Sequence, residues 1–113
     1  MTPIRIVTGD LTVQAALNDS RTARVLVDAL PIESTARRWG AEVYFTVPVD
    51  ADEEDAQADV APGTIVYWPV GKALCLLFGQ KPYSPVSVVG TIEGDPGVLD
   101  AVSEGDTIRV ELA

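Results

Sequence analysis

Histidine is absent from this chain, and cysteine occurs once, as Cys75. Without an imidazole there is no Ser–His or Cys–His nucleophile pair and no histidine-held metal centre, so neither a metal nor another cofactor is expected. A lone thiol closes no internal disulfide, which fits a reducing compartment and a cytoplasmic location. Basic residues are scarce: 8 Lys and Arg stand against 17 Asp and Glu, a net charge of −9. A nucleic acid or an anionic membrane would meet like charge, so neither is an expected partner. Long apolar runs are missing too, since Ala73 to Phe78 falls far short of the roughly 20 residues that span a bilayer. The start, Met1-Thr2-Pro3-Ile4-Arg5, has neither the basic head nor the apolar body of a signal peptide.

The chain has 113 residues, of which 47% are hydrophobic. That suits one ordered domain over residues 1–113, with no repeat and no linker. Ile4 to Thr8 and Leu11 to Ala16 alternate apolar and polar residues around Gly9-Asp10, a hairpin with Ile4 and Ile6 inward. Asn18, Asp19 and Ser20 are helix caps, and Ala23, Leu26, Val27 and Leu30 form one apolar stripe that ends at Pro31. Ile32 to Trp39 reads as extended, and Ala41 to Val47 as a strand. Val86 to Ile92 is a further strand, and Asp95-Pro96 opens a short helix packing Val98, Leu99 and Val102. Thr107 to Leu112 closes the chain as a strand with Ile108, Val110 and Leu112 inward.

Between Asp50 and Asp59 lie six acids and no basic residue. The spacing is not that of a calcium loop, which needs a central glycine. A solvated excursion, mobile and dispensable for folding, is the expectation.

The densest apolar stretch is Tyr67-Trp68-Pro69-Val70-Gly71-Lys72-Ala73-Leu74-Cys75-Leu76-Leu77-Phe78-Gly79. It predicts two strands about a Pro69–Lys72 turn, with Gly71 supplying a positive φ. Neither strand has a polar face, so both faces must be covered, as in a closed barrel whose outside carries helices. The same stretch, with Leu30–Ser34, Trp39–Phe45 and Ser84–Gly90, resembles the signature of small prokaryotic cyclophilin-like proteins almost end to end. The resemblance implies a mainly β, closed antiparallel barrel of about eight strands with two short helices. A longer connection that such proteins carry between the equivalents of Ser84 and Pro85 is absent, and with it any pocket wall it would supply.

The recognition motif of cyclophilin isomerases, Phe-His-Arg with its apolar companions and Gln-Gly-Gly, is missing. Arg37 and Arg38 are the weak catalytic candidates left on a comparable strand; exposed arginines are the plainer reading. Glu42 beside aromatic rings is a candidate acid or base with a raised pKa, or else a carboxylate that accepts local hydrogen bonds. Trp39, Glu42, Tyr44, Tyr67, Trp68 and Tyr83 are the candidate ligand-binding residues, although aromatics of this kind also fill cores. Cys75 reads as a small buried hydrophobe rather than a nucleophile. Function therefore divides between a binding module, with a groove for a small molecule or an extended peptide, and a divergent peptidyl-prolyl isomerase. The oligomeric state is not readable.

Overall fold

A computed structural model describes residues Met1–Ala113. Its nine strands are β1 (Thr2–Thr8), β2 (Leu11–Leu17), β3 (Ile32–Thr35), β4 (Arg37–Arg38), β5 (Glu42–Thr46), β6 (Thr64–Trp68), β7 (Ala73–Leu77), β8 (Ser87–Ile92) and β9 (Thr107–Leu112). One α-helix, α1 (Arg21–Ala29), and a 3-10 helix, Pro96–Ala101, complete the chain. All strand pairs are antiparallel, in the order β3-β9-β1-β2-β8-β6-β7-β5-β4.

The two ends of that order are neighbours in sequence, separated by Ala36 alone. One extended segment pairs with β9 through its first half and with β5 through its second, so the sheet curls into a nearly closed barrel. At the break Ala36 is fully buried. Its N–H donates to the Asp106 carbonyl at 2.7 Å, and its carbonyl accepts from Gly105 N–H at 2.8 Å. The kink thus leaves no backbone group unpaired. This break is why nine strands replace the expected eight: the single extended run Ile32 to Trp39 is divided between two partners.

The barrel interior follows the period-two alternation. Ile4 and Ile6, Val13, Ala15 and Leu17, Val43 and Phe45, Ile65 and Tyr67, Leu74 and Leu76, and Ile108 and Val110 join one buried cluster. Leu112, expected inside, stands at the last position of β9 and is exposed. From α1, Ala23 and Leu26 enter the cluster, and Leu99 and Val102 enter it from the 3-10 helix and its cap. Val98 was expected to pack with them but is exposed. A three-residue turn aligns Leu99 with Val102 and leaves Val98 off that face. Gly90 of β8 sits beside a register shift of the β6–β8 pair, and a Cβ there would overlap the Ala16 carbonyl.

The acidic segment is not the loose excursion its composition predicts. Ala51 N–H donates to the Tyr67 hydroxyl at 3.2 Å, and that hydroxyl donates to the Val49 carbonyl at 2.6 Å. Glu54 N–H donates to Ser87 Oγ at 2.8 Å, and Gln57 and Val86 exchange two backbone bonds of 2.9 Å. The Glu54 carboxylate accepts from Thr22 N–H at 2.9 Å, Thr22 Oγ1 at 2.8 Å and Arg21 N–H at 3.1 Å. An acid from a distant loop thereby satisfies free N–H groups in the first turn of α1, beside the Ser20 cap. These donors, Thr22 first, hold the Glu54 carboxyl down at about 2.

Glu54→Gln is expected to melt below the native protein at pH 7. An unfolded chain takes up this proton near the ordinary 4.5, whereas the folded carboxylate resists it until about 2. Stability from this group is therefore lost as pH falls through that window, and the gap between the two melting curves should shrink there. Coincident melting temperatures at pH 7 would show that the cap contributes nothing.

Candidate functional site

Strands β5, β7, β6 and β8 lie side by side, and their outward faces carry a largely apolar patch. Val60, Val66, Cys75, Leu77 and Val86 form a second buried cluster there, with Tyr44, Trp68 and Val88 packed against it. On the opposite wall, β3, β9 and β1 carry a wet ladder of charge, Glu33–Arg109 at 2.8 Å, Arg109–Glu111 at 2.8 Å and Arg5–Glu111 at 2.7 Å. The apolar wall was expected to be covered by helices. Its cover is instead the end of the acidic segment, which supplies Val60, together with the chain from Pro82 to Val86.

Between wall and cover remains a cavity of about 350 Å³. Its floor follows from register: Tyr44 pairs with Cys75, and Cys75 with Val66, so these three stand abreast across three strands. Two positions from Tyr44 along β5, on the same face, Glu42 joins the lining. Trp68, two positions from Val66, supplies a side wall. Trp39, Tyr83, Pro82, Ser84 and Val86 complete the lining.

Each wall residue is held by its neighbours. The Trp68 ring packs over Gly71, where any Cβ would overlap it. That close approach is why glycine stands in this turn; the positive φ expected of Gly71 falls on Lys72, at 48°. Trp39 stands at the rim, its ring meeting Tyr83 edge-on at 6.0 Å between centroids and 77° between planes. The Trp39 turn is clamped by Gln80, whose Oε1 accepts from Ala41 N–H at 2.8 Å and whose Nε2 donates to the Trp39 carbonyl at 2.9 Å. The sequence reading did not single out Gln80, because the turn it clamps lies some forty positions away and only the folded sheet brings the two together.

Glu42 is 8% exposed. Neither a hydrogen bond nor a counter-charge offsets its burial, and burial alone pushes its carboxyl above the ordinary carboxylate range. The local hydrogen bonds considered for it from the sequence are not made. Cys75 is buried among apolar neighbours, which push its thiol up strongly; the nearby Glu42 carboxylate adds to the shift.

Of the candidate residues, Trp39, Glu42, Tyr44, Trp68 and Tyr83 meet at the cavity. Tyr67 does not. It lies between Val66 and Trp68, so its side chain points to the opposite face, where it is fully buried and bonded to the acidic segment. Arg37 and Arg38 do not line the cavity either. Arg37 is exposed, 3.5 Å from Glu104. Arg38 donates to the carbonyls of Val102 at 2.7 Å, Gly40 at 2.9 Å and Asp100 at 3.1 Å, and lies over the Phe78 ring at 5.1 Å. It therefore fastens the end of the 3-10 helix to the Gly40 turn, a structural role.

A family model described as cyclophilin-like matches residues 2–111, and the chain belongs to that family. A hypothetical protein from Archaeoglobus fulgidus, known by its solution structure, is similar at 36% identity with a TM-score of 0.84. The match covers 99% of this chain and 95% of that one. McbB, solved in complex with tryptophan, shares the fold at a TM-score of 0.79 and 18% identity. That match covers 96% of this chain but 44% of McbB. No curated protein matches the chain. No helix is long and apolar enough to cross a membrane.

Two outcomes follow from the buried pair. Glu42→Gln is expected to melt higher than the native protein at pH 7. A raised folded pKa means the charged form is disfavoured by folding, so stability falls as pH rises from 4.5 through the raised value. Removing the charge removes that loss. Cys75 is expected to resist a thiol reagent in the native state and to react only on unfolding; rapid native labelling would mean that the floor opens.

Proposed function

We propose that this protein is a binding module whose site is the outer-wall cavity, and that it takes a small molecule rather than twisting a prolyl bond. The observation that carries this reading is an aromatic-rimmed, mostly apolar pocket whose lining holds one acidic residue, Glu42, that no protein group pairs. Small-ligand sites combine mostly apolar lining with a few placed polar groups, in volumes from about 300 Å³ upward. At about 350 Å³ this cavity suits a ligand the size of one or two rings. McbB, which shares the fold, is known in complex with tryptophan; that likeness carries the fold alone, and the reading stands on the lining of this cavity.

An isomerase of this fold needs a donor at the amide nitrogen to lower a barrier of about 18–20 kcal/mol. Arg37 and Arg38 are engaged elsewhere, which leaves the cavity without an arginine. Nuclear magnetic resonance titration with single-ring aromatic fragments tests the binding reading. The indole signals of Trp39 and Trp68 should shift, and Cys75→Phe, which puts a ring into the cavity, should abolish the shifts while the protein still melts cooperatively. A large acceleration of X-Pro isomerisation, lost in Arg37→Ala or Arg38→Ala, would overturn it.

A further inference from the structure

Glu42 poses a problem that the chain does not solve for itself. The protein has 8 basic side chains. Seven of them, Arg5, Arg21, Arg37, Arg38, Lys72, Lys81 and Arg109, are paired with acids other than Glu42. The eighth, Arg24, is exposed on α1. None lines the pocket. As a residue Glu42 is 8% exposed, and no basic side chain or hydrogen-bond donor of the chain meets its carboxylate; a carboxylate largely withdrawn from water is normally paired or hydrogen-bonded. Four aromatic rings, Trp39, Tyr44, Trp68 and Tyr83, line the same cavity. Ring faces are negative and attract cations, above all where water is thinned out. A net charge of −9 adds a field of the same sign.

We propose that the cavity is a site for an organic cation, an amine or methylated ammonium with an apolar body, whose charge sits at Glu42 and whose body lies against Tyr44 and Trp68. This rests on the binding reading above and gives it a ligand class. An anion is repelled by Glu42, and a neutral molecule can at most hydrogen-bond the carboxylate without neutralising its charge. The other polar-tipped side chains on the cavity are Cys75 of β7, Tyr44 of β5, and Tyr83 and Ser84 of the cover, with no second carboxylate and no basic residue among the lining. Glu42 alone therefore sets the charge of the lining.

The test is a resonance titration of the full chain at pH 7 with three matched probes: phenethylamine, 2-phenylethanol and phenylacetate. Phenethylamine should shift the Trp68 and Trp39 indoles with an affinity about tenfold above that of 2-phenylethanol, the scale expected of a desolvated cation among rings. Phenylacetate should bind most weakly. Glu42→Gln should bring the amine down to the level of the alcohol and leave the alcohol unchanged. In the native protein, with no substitution, the preference for the amine should fade as the pH drops through the raised range of Glu42. Equal binding of amine and alcohol, or an amine preference that survives Glu42→Gln, would overturn the cation proposal and leave the binding reading standing. No indole shift with any of the three probes would remove both.

Discussion

Closure of the sheet hangs on one short segment that serves two edges. Ile32 to Thr35 is spent on β9 and Arg37–Arg38 on β5, with Ala36 as the fold line between them. A larger side chain at Ala36 would press into a fully buried site, and such overpacking typically costs about 1–3 kcal/mol. The fold line is fixed from outside by the turn before β9, through the paired bonds to Asp106 and Gly105. On one edge β5 pairs β4, and on the other its register on β7 brings Tyr44 abreast of Cys75, which makes the cavity floor.

The barrel then gives its strands unequal duties. On one side of the molecule the outer face is charged and wet, and surface pairs there add little stability. On the other side the outer face is apolar and needs a lid. Two irregular segments supply it, and neither fits flush. The acidic segment is fastened through Tyr67, Ser87, Val86 and the first turn of α1, so a run of carboxylates becomes a structural strap. The remaining gap is the cavity, and Glu42 charged inside it opposes the stability of the fold. Groups that weaken a fold are characteristic of sites under functional demand.

Much of the architecture was legible in the residues. Alternation in Ile4 to Ala16 and Thr107 to Leu112 read correctly as strands, and the two apolar faces of the central hairpin correctly demanded cover on both sides. What covered them was not legible, because the acidic segment shows its composition locally and its partners only in three dimensions. The site was half legible. Trp39, Glu42, Tyr44, Trp68 and Tyr83 carry polar tips within the motif pieces, but so does Tyr67, and one position of alternation separates the cavity face from the core. Gln80 and Arg38 were invisible as fasteners, since a side chain that grips backbone carbonyls or amides leaves no periodic trace. The helix at Pro96 was anticipated in position but not in pitch, and that difference alone put Val98 outside.

The barrel seam has one more consequence. The terminal strands of the sheet are four and two residues long, β3 and β4, and each leads directly into the other. Little unpaired backbone is left to act as a template for a second chain. Such short terminal strands are a poor template for an extended peptide that would dock by adding itself as another strand. A partner of this molecule would then meet side chains rather than a long free strand edge, and the site proposed in the outer-wall cavity is of that kind.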